Sequence, residues 1–327
     1  MLPPPIQPGQ TTIAVATPAS PPSDLAAFKS GISYLTSKGF NVKTSRLSFP
    51  DKGFLSGTDE VRAAELNAFI LDPEVDVIFC TRGGYGTSRI LPLIDYDAAR
   101  TLSKLLVGYS DITALQLALY HKAGWRSVSG PMVAVEWPKP DKASEQQFWR
   151  LVSGQPFSTL SNVDDRPFKP MRPGEAKGTL IGGNLTVLTR LIGTPYMPSL
   201  KGAILFIEDV NEPAYRVDAL LSHLKLSGIW DNLAGLLIGQ FTEKDSPSTT
   251  PPSIEAVFQD YCDNVSFPVA SGLSYGHIPV KNSMPVGIQA HLTVTEDSAT
   301  ISILEPLVAP NKNQGEAEEA TPPANPI

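Results

Sequence analysis

The sequence predicts an α/β protein of two domains, the first built on a doubly wound, mostly parallel sheet. Three observations lead there. Short, largely apolar runs such as Val75–Cys80 and Ala203–Ile207 lack the in-out alternation of a sheet that is wetted on one face. Segments of helical spacing separate them, the alternation of a parallel sheet. At 327 residues the chain exceeds one ordinary hydrophobic core.

After a proline-rich lead, Thr12-Ile13-Ala14-Val15-Ala16 reads as a buried strand ending at Thr17-Pro18-Ala19-Ser20. A helix over about 24–38 is stopped by Gly39, a short strand covers 41–43, and a helix over 58–71 points Val61, Leu66, Phe69 and Ile70 inward. The run that ends at Cys80 opens into Thr81-Arg82-Gly83-Gly84-Tyr85-Gly86, which lacks the Gly-x-Gly-x-x-Gly spacing of a dinucleotide site. Leu105-Leu106-Val107 is the next strand. Gly108-Tyr109-Ser110-Asp111 is its turn, and Ile112, Leu115 and Leu119 are the apolar positions of the helix over 111–123. A strand ends at Val128-Ser129-Gly130-Pro131, and a helix follows over 144–153.

Residues 154–177, rich in Pro, Ser, Asp and Arg without apolar periodicity, predict a linker between domains 1–153 and 178–306. In the second domain Gly182-Gly183-Asn184 opens a helix, with Asn184 as its cap. A strand over 203–207 ends in Glu208-Asp209, a helix follows Arg216, another strand spans 233–239, and a polar, proline-rich loop covers 243–252. Two strands, 285–295 and 299–304, close the domain, and the acidic, proline-rich residues 307–327 predict a disordered tail.

A net charge of −7, with no cluster of Lys and Arg among aromatics, argues against nucleic acid as partner. No stretch of eighteen apolar residues and no secretory leader is present, which predicts a cytoplasmic protein with no membrane partner. Cys80 and Cys262 lack metal-ligand neighbours and read as buried free thiols, so no metal is expected.

In open α/β sheets ligands sit beyond the carboxyl ends of the strands, where both 82–86 and 108–111 fall. A serine at the tip of a strand-turn-helix unit is presented to a ligand, with backbone N–H groups behind it suited to developing negative charge. Ser110 is therefore a candidate nucleophile, although Ser110 or Asp111 could equally serve only as a helix cap.

A serine nucleophile needs a general base, and the chain has four histidines. His223 lies off the apolar stripe of its helix, His291 on the outer face of its strand, and His121 at a helix C-terminus; His277, in a loop beside Gly276, remains. Glu208, Asp209 and Glu212 are the candidate carboxylates to orient it, and spacing does not choose among them.

Taken together and in order, Thr17-Pro18-Ala19-Ser20, Arg82-Gly83-Gly84-Tyr85-Gly86, Gly108-Tyr109-Ser110-Asp111, Gly182-Gly183-Asn184-Leu185, Glu208-Asp209-Val210 and Gly276-His277 resemble the serine-type murein LD-carboxypeptidases and the related microcin C immunity hydrolases, up to about Pro306. The resemblance implies an amidotransferase-like N-terminal domain carrying the serine, a smaller C-terminal α/β domain, and an active site between them. It implies a catalytic triad of Ser110, Glu208 and His277, and an oxyanion hole from the backbone N–H groups of Gly84 and Asp111. Beside that turn, Gly83 and Arg82 are candidates to contact substrate, Arg82 by pairing with its terminal carboxylate, although a structural ion pair would account for an arginine there equally well.

The implied reaction is release of terminal D-alanine from a murein tetrapeptide through an acyl-enzyme, in peptidoglycan recycling, by a homodimer that needs no cofactor. Two alternatives stand beside it. One is an immunity-type hydrolase of acyl-sulfamoyl adenylates, a branch whose longer inter-domain segment brings an aromatic to the nucleobase; here 154–177 offers only Phe157 and Phe168. The other is a non-catalytic binder of peptidoglycan fragments.

Overall fold

The computed structural model describes residues 2–44, 49, 53–243 and 252–311, which form two sheets with helices between the strands. The strands, in chain order, are β1 Thr12–Ala16, β2 Asn41–Thr44, β3 Val77–Cys80, β4 Leu105–Val107, β5 Ser127–Ser129, β6 Thr159–Leu160, β7 Lys169–Arg172, β8 Gly174–Asn184, β9 Ile204–Val210, β10 Gly235–Thr242, β11 Val269–Ser271, β12 Met284–Val286, β13 Ile288–Val294 and β14 Ala299–Ile303.

The first sheet runs in the order β12-β5-β4-β3-β1-β2, and all its pairs are parallel except the edge pair β12 with β5. The apolar runs behave as expected: β3 and β4 are buried at every residue. The helices also begin where the sequence says. The Asp24 carboxylate accepts from the Ala26 N–H ahead of helix Leu25–Ser37, and the Thr58 hydroxyl accepts from the Val61 N–H ahead of Asp59–Leu71. One face of that second helix differs from expectation. Val61 is exposed, while Arg62 is 0% exposed and its guanidinium donates to the carbonyls of Pro18 and Gly86 and pairs with Asp59. Arg62 thus ties Thr17–Ser20 to the glycine-rich turn after β3.

The second sheet runs in the order β6-β14-β13-β8-β9-β10-β11-β7 and has eight strands to the first sheet's six. Two expectations need correction here. Residues 154–177 are not a bare linker, because β6, β7 and the start of β8 lie within them and pair with β14, β11 and β13. Their polar, proline-bearing composition suits short antiparallel edge pairing, which leaves little apolar pattern to read.

The single strand expected over 285–295 is two strands in two sheets. Met284–Val286 crosses back to pair with β5, and after Gly287 the chain enters β13. The C-terminal half of the chain therefore completes the N-terminal sheet.

The C-terminal end of the chain also differs from expectation. Of the tail, residues 307–311 are described: Leu307 and Val308 are buried, and the Ala309 N–H donates to the Pro3 carbonyl at 2.8 Å. The Ile6 N–H reaches Val152 O, so the proline-rich lead packs as well. Residues 312–327 of the tail, and 244–251 of the proline-rich loop, lie outside the described residues.

Between β8 and β9 the parallel pairing brings Gly182 so close to Phe206 that a Cβ there would sit 1.8 Å from its carbonyl oxygen. Only glycine fits this approach. Gly182→Ala is expected to destabilise the fold by about 3 kcal/mol or more, measured as a lower denaturation midpoint at unchanged m-value.

Candidate active site

Ser110 sits where β4 ends, on a turn leading through Ser110–Ile112 into helix Thr113–Ala123. Its φ is +64°, a left-handed conformation costing a non-glycine residue roughly 1–3 kcal/mol, which the surrounding structure must hold in place. Several bonds do so. The Gly108 N–H donates to Val128 O, the Gly130 N–H to Gly108 O, and the Thr87 hydroxyl to Asp111 O at 2.5 Å. The Asp111 side chain does not cap its own helix. It accepts from the Thr87 N–H at 2.9 Å instead, and burial pushes its carboxyl above the usual carboxylate range.

Across from this turn lies the glycine-rich turn. A Cβ on Gly83 would fall 2.9 Å from Ser110 Cβ and 3.1 Å from its Oγ, so this turn lies directly against the serine. Ser20 braces it: its hydroxyl accepts from the Tyr85 N–H and donates to Phe54 O. Among the described residues the N–H groups of Gly83 and Gly84 have no acceptor. Arg82 is half-buried, donates to Pro21 O at 3.4 Å, and has no carboxylate partner among the described residues.

The three carboxylates at the end of β9 and just beyond it have three different jobs. Glu208 is 0% exposed, and its Oε2 lies 2.7 Å from His277 Nδ1 while its Oε1 accepts from Asn184 Nδ2 at 3.1 Å. Asp209 accepts from the N–H and hydroxyl of Thr186 and from Asn184 Nδ2. Glu212 pairs with Arg216. Gly276 has a φ of +135°, and a Cβ there would lie 3.1 Å from Glu208 Oε2, so glycine is what lets the loop deliver His277 to this carboxylate. An ionised carboxylate only accepts, so Nδ1 is the donor of this pair, and in the neutral imidazole Nε2 then keeps its lone pair.

The other histidines are elsewhere. His121 and His223 are exposed, and His291 lies 3.7 Å from Glu175 on the outer side of β13.

Two contacts bring the halves of the site together. The Asn184 N–H donates to the Thr113 hydroxyl at 3.1 Å, at the start of the helix behind Ser110. The Tyr109 ring meets the His277 ring edge-on, with centroids 5.1 Å apart. Ser110, Glu208 and His277 are thereby gathered at one place. The Ser110 hydroxyl makes no hydrogen bond within 3.5 Å among the described residues, and such bonds commonly tighten only when substrate is bound.

Residues 13–130 match the LD-carboxypeptidase N-terminal domain and residues 177–292 the LD-carboxypeptidase C-terminal domain. The chain belongs to the LD-carboxypeptidase family. It is 34% identical over 299 residues to a probable murein peptide carboxypeptidase of Bacillus subtilis, covering 89% of this chain and 91% of the relative. The crystal structure of a muramoyltetrapeptide carboxypeptidase from Oxalobacter formigenes superposes with a TM-score of 0.80 at 31% identity, over 92% of this chain and all of that one. The microcin C7 self-immunity protein MccF of Escherichia coli is 30% identical over 87% of this chain and 90% of its own. A structure of MccF with glutamyl sulfamoyl guanosine superposes with a TM-score of 0.84 at 25% identity, covering 94% of this chain and 99% of that one.

In this LD-carboxypeptidase family member the fold brings to the site residues for which the sequence reading assigns no active role. Asn184 does cap its helix, its Oδ1 accepting from the Val187 N–H, but its amide also holds Glu208. Its place in the Gly-Gly-Asn-Leu motif is a signal that could have pointed there. Tyr109, Glu136 and Lys281 also gather beside His277, and nothing in the sequence links the last two. Among the described residues no cluster of metal-ligating side chains occurs and no helix is long and apolar enough to cross a membrane; both cysteines are buried and free.

Proposed function

We propose that the protein is a serine LD-carboxypeptidase that releases terminal D-alanine from murein tetrapeptide through an acyl-enzyme. The observation that carries this is the pairing of the buried Glu208 with His277, set beside a serine held at positive φ on a strand-turn-helix. Ser110 attacks the amide carbonyl, His277 Nε2 takes the hydroxyl proton and returns it to the leaving amine of D-alanine, and water then frees the acyl-enzyme. The N–H groups of Gly84 and Asp111 receive the oxyanion. The names of the murein carboxypeptidase relatives support the substrate. The test is D-alanine release from purified murein tetrapeptide, with Ser110→Ala as control.

Arg82, at the edge of the same turn without a carboxylate partner among the described residues, receives the terminal carboxylate of the substrate, with Gly83 alongside. Arg82→Gln is expected to raise KM about 10-fold or more, as loss of a charge-assisted hydrogen bond does, while a substrate ending in D-alanine amide loses little further. Steady-state kinetics on the two substrates checks it.

The second reading, hydrolysis of an acyl-sulfamoyl adenylate, draws on the likeness to MccF. Against it stands the segment 154–177, where Phe168 is buried and only Phe157 is left to meet a nucleobase. Cleavage of such an adenylate, without D-alanine release, would favour it. Tight binding of murein fragments without turnover would favour a non-catalytic binder. The peptidase reading carries with it a cytoplasmic, homodimeric protein in cell-wall recycling, whose dimer sedimentation analysis tests. The strand order of the first sheet, with β1 between β2 and β3, supports a doubly wound, amidotransferase-like description of the N-terminal domain.

A further inference from the structure

Tyr109 precedes the nucleophile and is buried, and each part of its side chain meets a different group. Its ring meets that of His277 edge to face, its hydroxyl donates to Glu136 Oε1 at 2.8 Å, and Lys281 Nζ stands over its ring at 3.9 Å from the centroid. Glu136 Oε1 also accepts from Lys281 Nζ at 2.6 Å, and its Oε2 from the Met132 N–H at 2.9 Å. The three side chains come from three segments: the nucleophile turn, the loop after β5, and the loop that runs on from His277.

We propose that Tyr109, Glu136 and Lys281 form a positioning device for His277, a partly buried ion pair that clamps the ring against which the imidazole rests. The assignment rests on reading His277 as the general base. Merely anchoring the loop does not require the Lys281 ammonium. The backbone of that loop is already tied to helix Lys142–Val152, through the Lys281 N–H on the Ser144 hydroxyl and the paired bonds between Ser283 and Gln147, and Tyr275 meets Ser129 ahead of it. What the ammonium adds is a contact on Tyr109 and a charge opposite Glu136.

The charges that face His277 are few. Glu208 touches it directly from the end of β9, Tyr109 covers one side, Tyr275 lies two residues earlier on its own loop, and behind Tyr109 stand Glu136 and Lys281. Burial and the neighbouring carboxylates Glu136 and Glu208 hold the phenols of Tyr109 and Tyr275 neutral. As long as Glu136 and Lys281 balance each other, Glu208 is the charge in direct contact with the imidazole. Removing either one leaves a net charge one ring away from the imidazole.

The test is titration of the His277 imidazole by NMR in the full-length protein, its signal assigned by its loss in His277→Gln. Glu136→Gln leaves the ammonium unbalanced and is expected to lower the His277 pKa by about 0.5 or more; Lys281→Met leaves the carboxylate unbalanced and is expected to raise it by about as much. The double variant returns it near the wild-type value. In D-alanine release both single variants lose about 10-fold or more in kcat with KM little changed, since both act through Tyr109 on His277, and Lys281→Arg restores most of kcat.

Shifts in the same direction, shifts below about 0.2, or an unchanged kcat overturn the proposal. If Lys281→Met does not fold, Glu136→Gln and Lys281→Arg decide by the same readouts. The titration needs no turnover, so a wild-type protein that releases no D-alanine defeats the peptidase reading and leaves this one to be judged on the NMR shifts alone.

Discussion

Ser110→Ala is expected to lower kcat for D-alanine release by about 10⁴-fold or more, with substrate binding and thermal stability close to wild type. The size follows from the role of the hydroxyl. Without it no acyl-enzyme forms, and what is left is the rate that the oxyanion donors and substrate positioning support with water as nucleophile. Stability should barely move, because the strain at this position belongs to the backbone. Alanine at φ +64° carries the same penalty as serine, and the bonds that enforce the turn come from Gly108, Gly130 and Thr87. Differential scanning calorimetry next to single-turnover kinetics separates the two effects. A variant that keeps wild-type turnover would remove Ser110 from the mechanism.

Glu208→Gln should cost nearly as much, about 10⁴-fold in kcat, although it changes a single atom. The reason lies in the neighbour. Asn184 Nδ2 donates to Glu208 Oε1, so a glutamine in this place turns its carbonyl oxygen toward Asn184 and its amide N–H toward His277 Nδ1. Nδ1 must then accept, the imidazole proton moves to Nε2, and the nitrogen needed to take the serine proton no longer has a free lone pair. Asn184→Ala combined with Glu208→Gln frees the amide to rotate and is expected to recover part of the loss. The comparison of kcat for the two variants checks the tautomer argument.

Much of the site could be read from the chain because its parts are local. The turn at 108–111 shows as an apolar run, a glycine and then helical spacing, all within a dozen residues, and the structure has that strand, turn and helix. The histidines sort by local pattern too, and three of the four lie where periodicity places them, away from the site. Beyond this, locality fails. Glu208, Asp209 and Glu212 all lie within five residues, and what separates them is which partner each meets: His277, Thr186 or Arg216. Arg62 shows the same limit, since a charged residue in a helix reads as solvated until the Pro18 and Gly86 carbonyls are folded over it.

From sequence alone came an α/β protein with apolar parallel strands, capped helices and a reactive turn, because strand burial, helix periodicity and capping are decided by residues within one or two turns of chain. The ordered motifs added a family, with its serine, glutamate and histidine. Only the tertiary structure decided that residues 154–177 supply strands, that Met284–Val286 completes the first sheet, and that Glu136 and Lys281 meet across 145 residues behind the ring beside His277. Pairings of that kind depend on distances that close only when the two sheets dock, and no local pattern of polarity carries them.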